Sequence, residues 1–275
     1  MGCFVVYLFD TSAFVKRVRV PFDRLVPVVR YWQQIKVPHL LLVFFVLVVA
    51  GTALLSLPVA SESSSSLSQR FFTAVSAVTT TGSSPLPIDG TWSFVGEGIL
   101  AFLVLIGGFL YMAAASFLLW LLGQQFGFKD VEMKRLYIGP PSSKEIIQFF
   151  RTVLLFTFSF QILGAVLFFI GFLLDGFSVT TSLWWGPFHA ITSFNNAGFA
   201  LHSEGFSVFR DSPFLLSISG FLAFCGAIGP IPLSLLFLWR RNRKIPLDSK
   251  IIFFGMLVTV VIGMLLLSLT EWNNP

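Results

Sequence analysis

Two short stretches have the residue types and spacing to do chemistry: Val78-Thr79-Thr80-Thr81-Gly82 and Phe194-Asn195-Asn196-Ala197-Gly198. What they offer is peptide oxygen. An extended strand can turn its carbonyl oxygens to one side and replace the hydration shell of a cation. Glycine suits the end of such a strand because it reaches φ > 0 without a Cβ clash. A blander reading makes each glycine an ordinary helix C-cap. The recurrence weighs against that. Phe72-Thr73-Ala74-Val75-Ser76-Ala77 aligns with Phe188-His189-Ala190-Ile191-Thr192-Ser193 at an offset of 116, and Gly82 falls on Gly198 at the same offset. With one residue deleted, Asp89-Gly90 falls on Glu204-Gly205 and Phe94 on Phe209. Self-similarity at a fixed spacing marks a repeated structural unit.

The elements that must position these stretches are two short apolar helices, Leu67 to Val78 and Ser182 to Ser193. About 12 residues of helix reach only roughly 18 Å, well short of the roughly 30 Å hydrocarbon layer. A helix entering from outside and stopping halfway points its C-terminal end, about half a negative charge, at the membrane centre. That end stabilises a cation. Non-helical backbone at such depth is tolerated only when buried in protein or lining a wet cavity.

A membrane setting follows from composition. Apolar residues make up 55% of the 275 and charged ones 11%, against roughly a quarter charged in soluble domains. Full-length apolar stretches are read at about His39 to Pro58, Phe94 to Leu122, Ile146 to Leu174, Pro213 to Trp239 and Ile251 to Leu269. The expected fold is an all-α integral membrane protein: span, short pore helix with a re-entrant filter loop, span, twice over, plus one extra span. The divisions are a membrane-surface segment (1–38), a first pore repeat (39–125), a second (126–243), and a linker with the first span of an incomplete third (244–275).

The net charge of +5 invites a nucleic-acid reading, and the placement of the charges removes it. Of 18 basic residues all but Arg70 and Arg210 lie before the first span, between the second and third or at the start of the third (Arg151), or between the fourth and fifth. This asymmetry puts those segments and the N-terminus in the cytoplasm, with the chain in the cell's inner (plasma) membrane. Cys3 and Cys225 show no pairing or metal-binding pattern. Val6 stands where a myristoylation signal wants Ser or Thr, and Phe4 to Phe9 is too short for a signal peptide.

The two stretches resemble the first and second filter segments of the Trk/Ktr/HKT superfamily of potassium transporters. Gly51-Thr52-Ala53-Leu54-Leu55-Ser56-Leu57-Pro58, Leu105-Ile106-Gly107-Gly108 and Gly226-Ala227-Ile228-Gly229 resemble further family marks, and the triple threonine is closer to the Trk branch. The resemblance covers most of residues 39–275. It implies four repeats around one pore, each giving one filter strand, and a cytoplasmic nucleotide-binding regulatory subunit. Carried onto this sequence, backbone carbonyls of Thr80, Thr81, Asn196 and Ala197 face a transported potassium ion. Gly82 and Gly198 are the filter glycines, and Val78, Thr79 and Asn195 support the strands. Glycine at both places favours potassium, since sodium-preferring plant members carry serine at the first. The family's Gly-Gly-Leu-Gly is here Gly107-Gly108-Phe109-Leu110. Filters three and four are absent; the final span, Ile251 to Leu269, resembles the opening helix of repeat three, and Trp272-Asn273-Asn274-Pro275 the family sequence just after it. The chain is therefore read as the N-terminal portion of a pore subunit, inert until the remaining half or a second subunit is supplied.

Other residues carry weaker expectations. Asn195 and Asn196 are expected to brace the filter from behind, because an unpaired amide at membrane depth is costly. His189 reads as a packed helix residue rather than a ligand. Asp89 and Glu204 are either a solvated face or a means of concentrating cations. Gly107, inside a span, is expected to accept serine without changing selectivity. Arg240 to Lys244 is chiefly a topology signal, with docking of a regulatory subunit as its alternative. An intramembrane enzyme would need a nucleophile and base or paired carboxylates at depth, and the spans show neither. No organic cofactor is indicated. The competing reading is a non-conducting accessory membrane subunit.

Overall fold

The computed structural model describes residues 37–121, 143–202, 204–229, 233 and 247–271. The surface segment expected before residue 37, most of the basic connections, the far end of the fourth span and Trp272 to Pro275 lie outside these. The described residues form seven α-helices: α1 (Val37–Leu55), α2 (Leu67–Val78), α3 (Phe94–Leu121), α4 (Ser143–Leu174), α5 (Val179–Phe194), α6 (Pro213–Ile228) and α7 (Leu247–Glu271). Short 3-10 turns lie at Pro58–Ala60 and Gly205–Phe209. Among the described residues the only bridge of strand type joins Ser61 to Trp92.

Local chemistry sets the ends of the short helices. The Ser66 hydroxyl accepts from the Gln69 N–H, and the Gln69 side chain accepts from the Ser66 N–H at 2.8 Å. This reciprocal cap fixes α2 to start at Leu67, as the sequence predicts. In α5 the Ser178 hydroxyl accepts from the Thr181 N–H at 3.1 Å. The helix therefore begins at Val179, earlier than the expected Ser182.

α6 corrects the sequence reading. The helix expected to run from Pro213 to Trp239 stops at Ile228, where Gly229 adopts φ 81°. The sequence continues Pro230-Ile231-Pro232. A proline disfavours helical geometry in the residue before it and gives no N–H to the helix ladder. Stretches in α3, α4 and α7 (Phe94–Tyr111, Val153–Leu174 and Lys250–Thr270) are long and apolar enough to cross a membrane, while Leu41–Leu55 and Pro213–Ile228 are shorter apolar helices.

Helices α1, α2 and α3 pack on one another around Leu55, Ala74, Ala77, Leu100 and Val104. Helices α4, α5 and α6 do the same around Phe156, Phe168, Ala190, Leu215 and Leu222. Lipid tails are as apolar as leucine, so such helices associate through close packing at small residues rather than through hydrophobic burial. Gly51 accordingly meets Leu103 and Ala74, and Gly164 meets Leu222 and Ala190. The two groups meet where α3 lies against α5, and α7 packs on α6 with its apolar side chains largely exposed.

Candidate cation-binding turns

Both short helices end the same way. Thr79 closes α2 with φ −83° and ψ −2°, and Asn195 closes α5 with φ −84° and ψ 6°. The next residues, Thr80 and Asn196, are left-handed, at φ 53° and 55°. The Thr80 N–H donates to Ala77 O at 3.2 Å and the Thr81 N–H to Ser76 O at 2.9 Å. In the second turn the Asn196 N–H donates to Ser193 O at 3.0 Å and the Ala197 N–H to Thr192 O at 2.8 Å. This is the paired hydrogen bonding of a Schellman cap, whose left-handed place usually goes to glycine.

Here that place holds Thr80 and Asn196. Gly82 and Gly198 follow two residues later at a second positive φ, 75° and 72°. The reading of the glycines as plain C-caps is thereby overturned. Asparagine visits the left-handed region readily, whereas a β-branched threonine there is a genuine outlier. Such strain costs on the order of 1–3 kcal/mol and persists only where the surroundings enforce it.

The surroundings do enforce it. The carbonyl of Val78, last residue of α2, lies so close to Gly107 of α3 that a Cβ there would overlap it. The carbonyl of Phe194, last residue of α5, lies on Gly226 of α6 in the same manner. A side chain at Gly107, serine included, would therefore press on the backbone that closes α2. Within the first turn, the Thr79 hydroxyl donates back to Val75 O at 2.8 Å and pairs with the Thr81 hydroxyl at 2.7 Å.

The structure places the nine expected site residues as follows. Thr79, Thr81, Asn196 and Gly198 are exposed, Val78, Asn195 and Ala197 are buried, and Thr80 and Gly82 are intermediate. The turns come together at one place, where the Ala197 carbonyl lies against Gly82. Asn195 Nδ2 donates to Ile191 O at 2.9 Å, and its Oδ1 lies against Gly108.

Behind the second turn, Thr192 Oγ1 donates to Phe199 O at 3.0 Å. His189 is buried among Phe172, Phe206 and Phe209. Its Nδ1 bonds Trp185 O at 2.8 Å, and since a carbonyl only accepts, Nδ1 carries the proton. Nε2 then accepts from the Leu201 N–H at 3.5 Å. His189 is a packed, hydrogen-bonded helix residue, as expected. A contact the sequence did not suggest joins the two groups: Trp184 Nε1 donates to Glu97 at 2.5 Å, and the Trp184 ring lies 4.3 Å from that of Phe94. The detectable signal for the helix sockets was glycine inside apolar spans. For Trp184 and Glu97 there was none.

Residues 31–270 match the family described as TrkH, cation transport protein. The chain belongs to the TrkH family. Among curated relatives, it is 28% identical to the Ktr system potassium uptake protein B of Bacillus subtilis over 245 residues, covering 89% of this chain and 55% of the relative. It is 28% identical to the potassium/sodium uptake protein NtpJ of Enterococcus hirae over 233 residues, 84% of this chain and 51% of that protein. With the Ktr system potassium uptake protein B of Vibrio alginolyticus the identity is 27% over 249 residues, 86% and 53% of the two chains. The chain thus spans about half the length of the curated relatives it matches. Membership of a cation transport family together with the long apolar helices makes it a membrane protein.

Proposed function

We propose that this TrkH-family chain supplies two walls of a potassium-conducting pathway, with α2 and α5 as re-entrant pore helices inside two span–pore helix–span repeats. The backbone of Thr80, Thr81 and Gly82, and of Asn196, Ala197 and Gly198, faces the ion. Val78, Thr79 and Asn195 hold the strands in place. The observation that carries this reading is the shared backbone: positive φ at Thr80 and Gly82, and again at Asn196 and Gly198. Residues of alternating hand bring successive peptide N–H groups to one side in anion-binding nests. The carbonyls of the same peptides then point to the other side, which is what a cation needs. The C-terminal ends of α2 and α5 add partial negative charge there.

Potassium is favoured by glycine at both filter positions and by the potassium named in the relatives. Each ion site needs carbonyls from several sides, so two strands call for more from the remaining half of the pore or a second subunit. A cytoplasmic nucleotide-binding regulatory subunit is the further partner, with Arg240 to Lys244 as its candidate dock. The charge asymmetry supports an N-terminus on the cytoplasmic side of the inner membrane. A cysteine at Ser63 is then labelled from outside and one at Lys134 only from inside.

The decisive experiment is Gly82→Ser in the cell's own transporter, read as competition between sodium and potassium for uptake. The change should lower the preference for potassium by about tenfold, since a side chain crowds a carbonyl ring that must fit its ion. Unchanged preference sinks the filter and favours a non-conducting accessory subunit.

A further inference from the structure

We infer that Asn195 is a positioning residue that keys the second turn to the first helix group through Gly108; the inference rests on the filter reading above. Asn195 is 6% exposed. Its Nδ2 is committed to Ile191 O in its own helix at 2.9 Å, which fixes the orientation of the amide. Oδ1 therefore points away from α5 and onto α3, where a Cβ at Gly108 would overlap both Oδ1 and Cγ. The backbone N–H groups inside a helix are already spent on the i−4 carbonyls. Oδ1 accordingly has no hydrogen-bond partner among the described residues, and the Cα–H of Gly108 offers only a weak contact.

A buried amide oxygen without a donor costs about 1–3 kcal/mol. An apolar side chain would fill the space without that cost. What the amide provides is definition: one end tied to Ile191, the other seated in a notch that admits no side chain of its own. The first turn has no such key. Its equivalent residue, Thr79, is exposed and bonds back to Val75. Two residues beyond Asn195, the Ala197 carbonyl lies against Gly82. A shift at the Asn195–Gly108 contact is thus passed directly to the place where the turns meet, and so to the spacing of the strands.

Two arms test this. First, a Cβ on Gly108 would stand 3.1 Å from that of Asn195, near the roughly 3.5–4.5 Å of a disulfide. In a full-length chain with Cys3 and Cys225 replaced by serine, Asn195→Cys with Gly108→Cys should cross-link on oxidation. Fragments cut at a protease site inserted between residues 122 and 142 then stay joined until reduced. Asn195→Cys with Gly107→Cys should not cross-link, because Gly107 faces Val78. Failure of the first pair to join overturns the key whether or not the chain conducts.

Second, Gly108→Ala in the cell's own transporter should lower potassium-over-sodium preference by about threefold or more, the scale expected when a site is loosened by its support. Asn195→Ala alone, which removes the key and leaves the notch at Gly108 empty, should lower the preference by a similar factor. A merely structural defect would reduce the amount of protein without moving the ratio. If Gly82→Ser changes the ratio while Gly108→Ala leaves it alone, the key is wrong and the filter stands. If neither changes it, the filter reading has failed.

Discussion

The two turns share a backbone and differ in what covers their flanks. Gly107 of α3 and Gly226 of α6 do the same job, each receiving the last carbonyl of its own short helix. That equivalence sets Glu97, Gly98 and Gly108 on α3 against Leu216, Ser217 and Ala227 on α6. On α3 these positions are covered by the second group, with Trp184 on Glu97 and beside Gly98, and Asn195 on Gly108. On α6 all three are exposed. Each group thus specifies its own turn, while the cover of its flank comes from the group that follows. Among the described residues this α6 face is open, and a further repeat is the occupant that the comparison with α3 suggests.

The largest effect should come from filling the two carbonyl sockets. Gly226→Val or Gly107→Val sets side-chain atoms against a backbone carbonyl that cannot rotate away. Overpacking of this kind costs about 1–3 kcal/mol, occasionally more. Gly220→Ala, also in α6, meets nothing within 4 Å and should be close to neutral. Thermal unfolding of the purified chain in detergent, followed by tryptophan fluorescence, compares them. Equal stability of Gly226→Val and Gly220→Ala would break the socket argument at its base.

A smaller effect tests whether the turns are the same in energy as well as in shape. Thr80 and Asn196 hold the left-handed place at φ 53° and 55°. Asparagine suits that region and a β-branched residue does not. Thr80→Asn should therefore stabilise the chain and Asn196→Thr destabilise it, each by about 1 kcal/mol. Opposite signs in the same unfolding measurement sharpen the equivalence. A loss in both would mean that the Thr80 side chain does something its counterpart does not.

Much of this was legible in the sequence where the controlling chemistry is local. The extent of α2 from Leu67 to Val78 follows from its short apolar run, and the matched turns follow from a constant spacing of 116 residues. Membrane placement follows from apolar length alone. The end of α6 was misread although its signal was present: Gly229-Pro230 was passed over because the apolar run continues beyond it. The left-handed cap was missed at Thr80 for a different reason, since threonine is the wrong residue type for the place and only its neighbours hold it there. The notch at Gly108 could not be seen at all, because Asn195 is a partner from another helix group and no local pattern announces it.

The smallest expected effect on the chain itself is the most informative about its surroundings. Ala227 stands where α3 has Gly108, yet it is exposed. Ala227→Leu should change the stability of the purified chain by no more than about 0.5 kcal/mol, as for other exposed positions. Gly108→Leu, pressed into Asn195, should cost several times that. In the cell membrane the comparison reverses its use. If a further repeat seats a residue on α6 as Asn195 seats on α3, the Ala227 position is covered there and uncovered in the purified chain. A cysteine at 227, with Cys3 and Cys225 replaced by serine, should then react with a membrane-permeant maleimide more slowly in cells than after purification. A cysteine at the lipid-exposed Leu267 of α7, which is 65% exposed, controls for access through the bilayer. Equal rates at 227 in both settings would mean that the α6 face meets lipid, and that the likeness between α3 and α6 ends at the carbonyl socket.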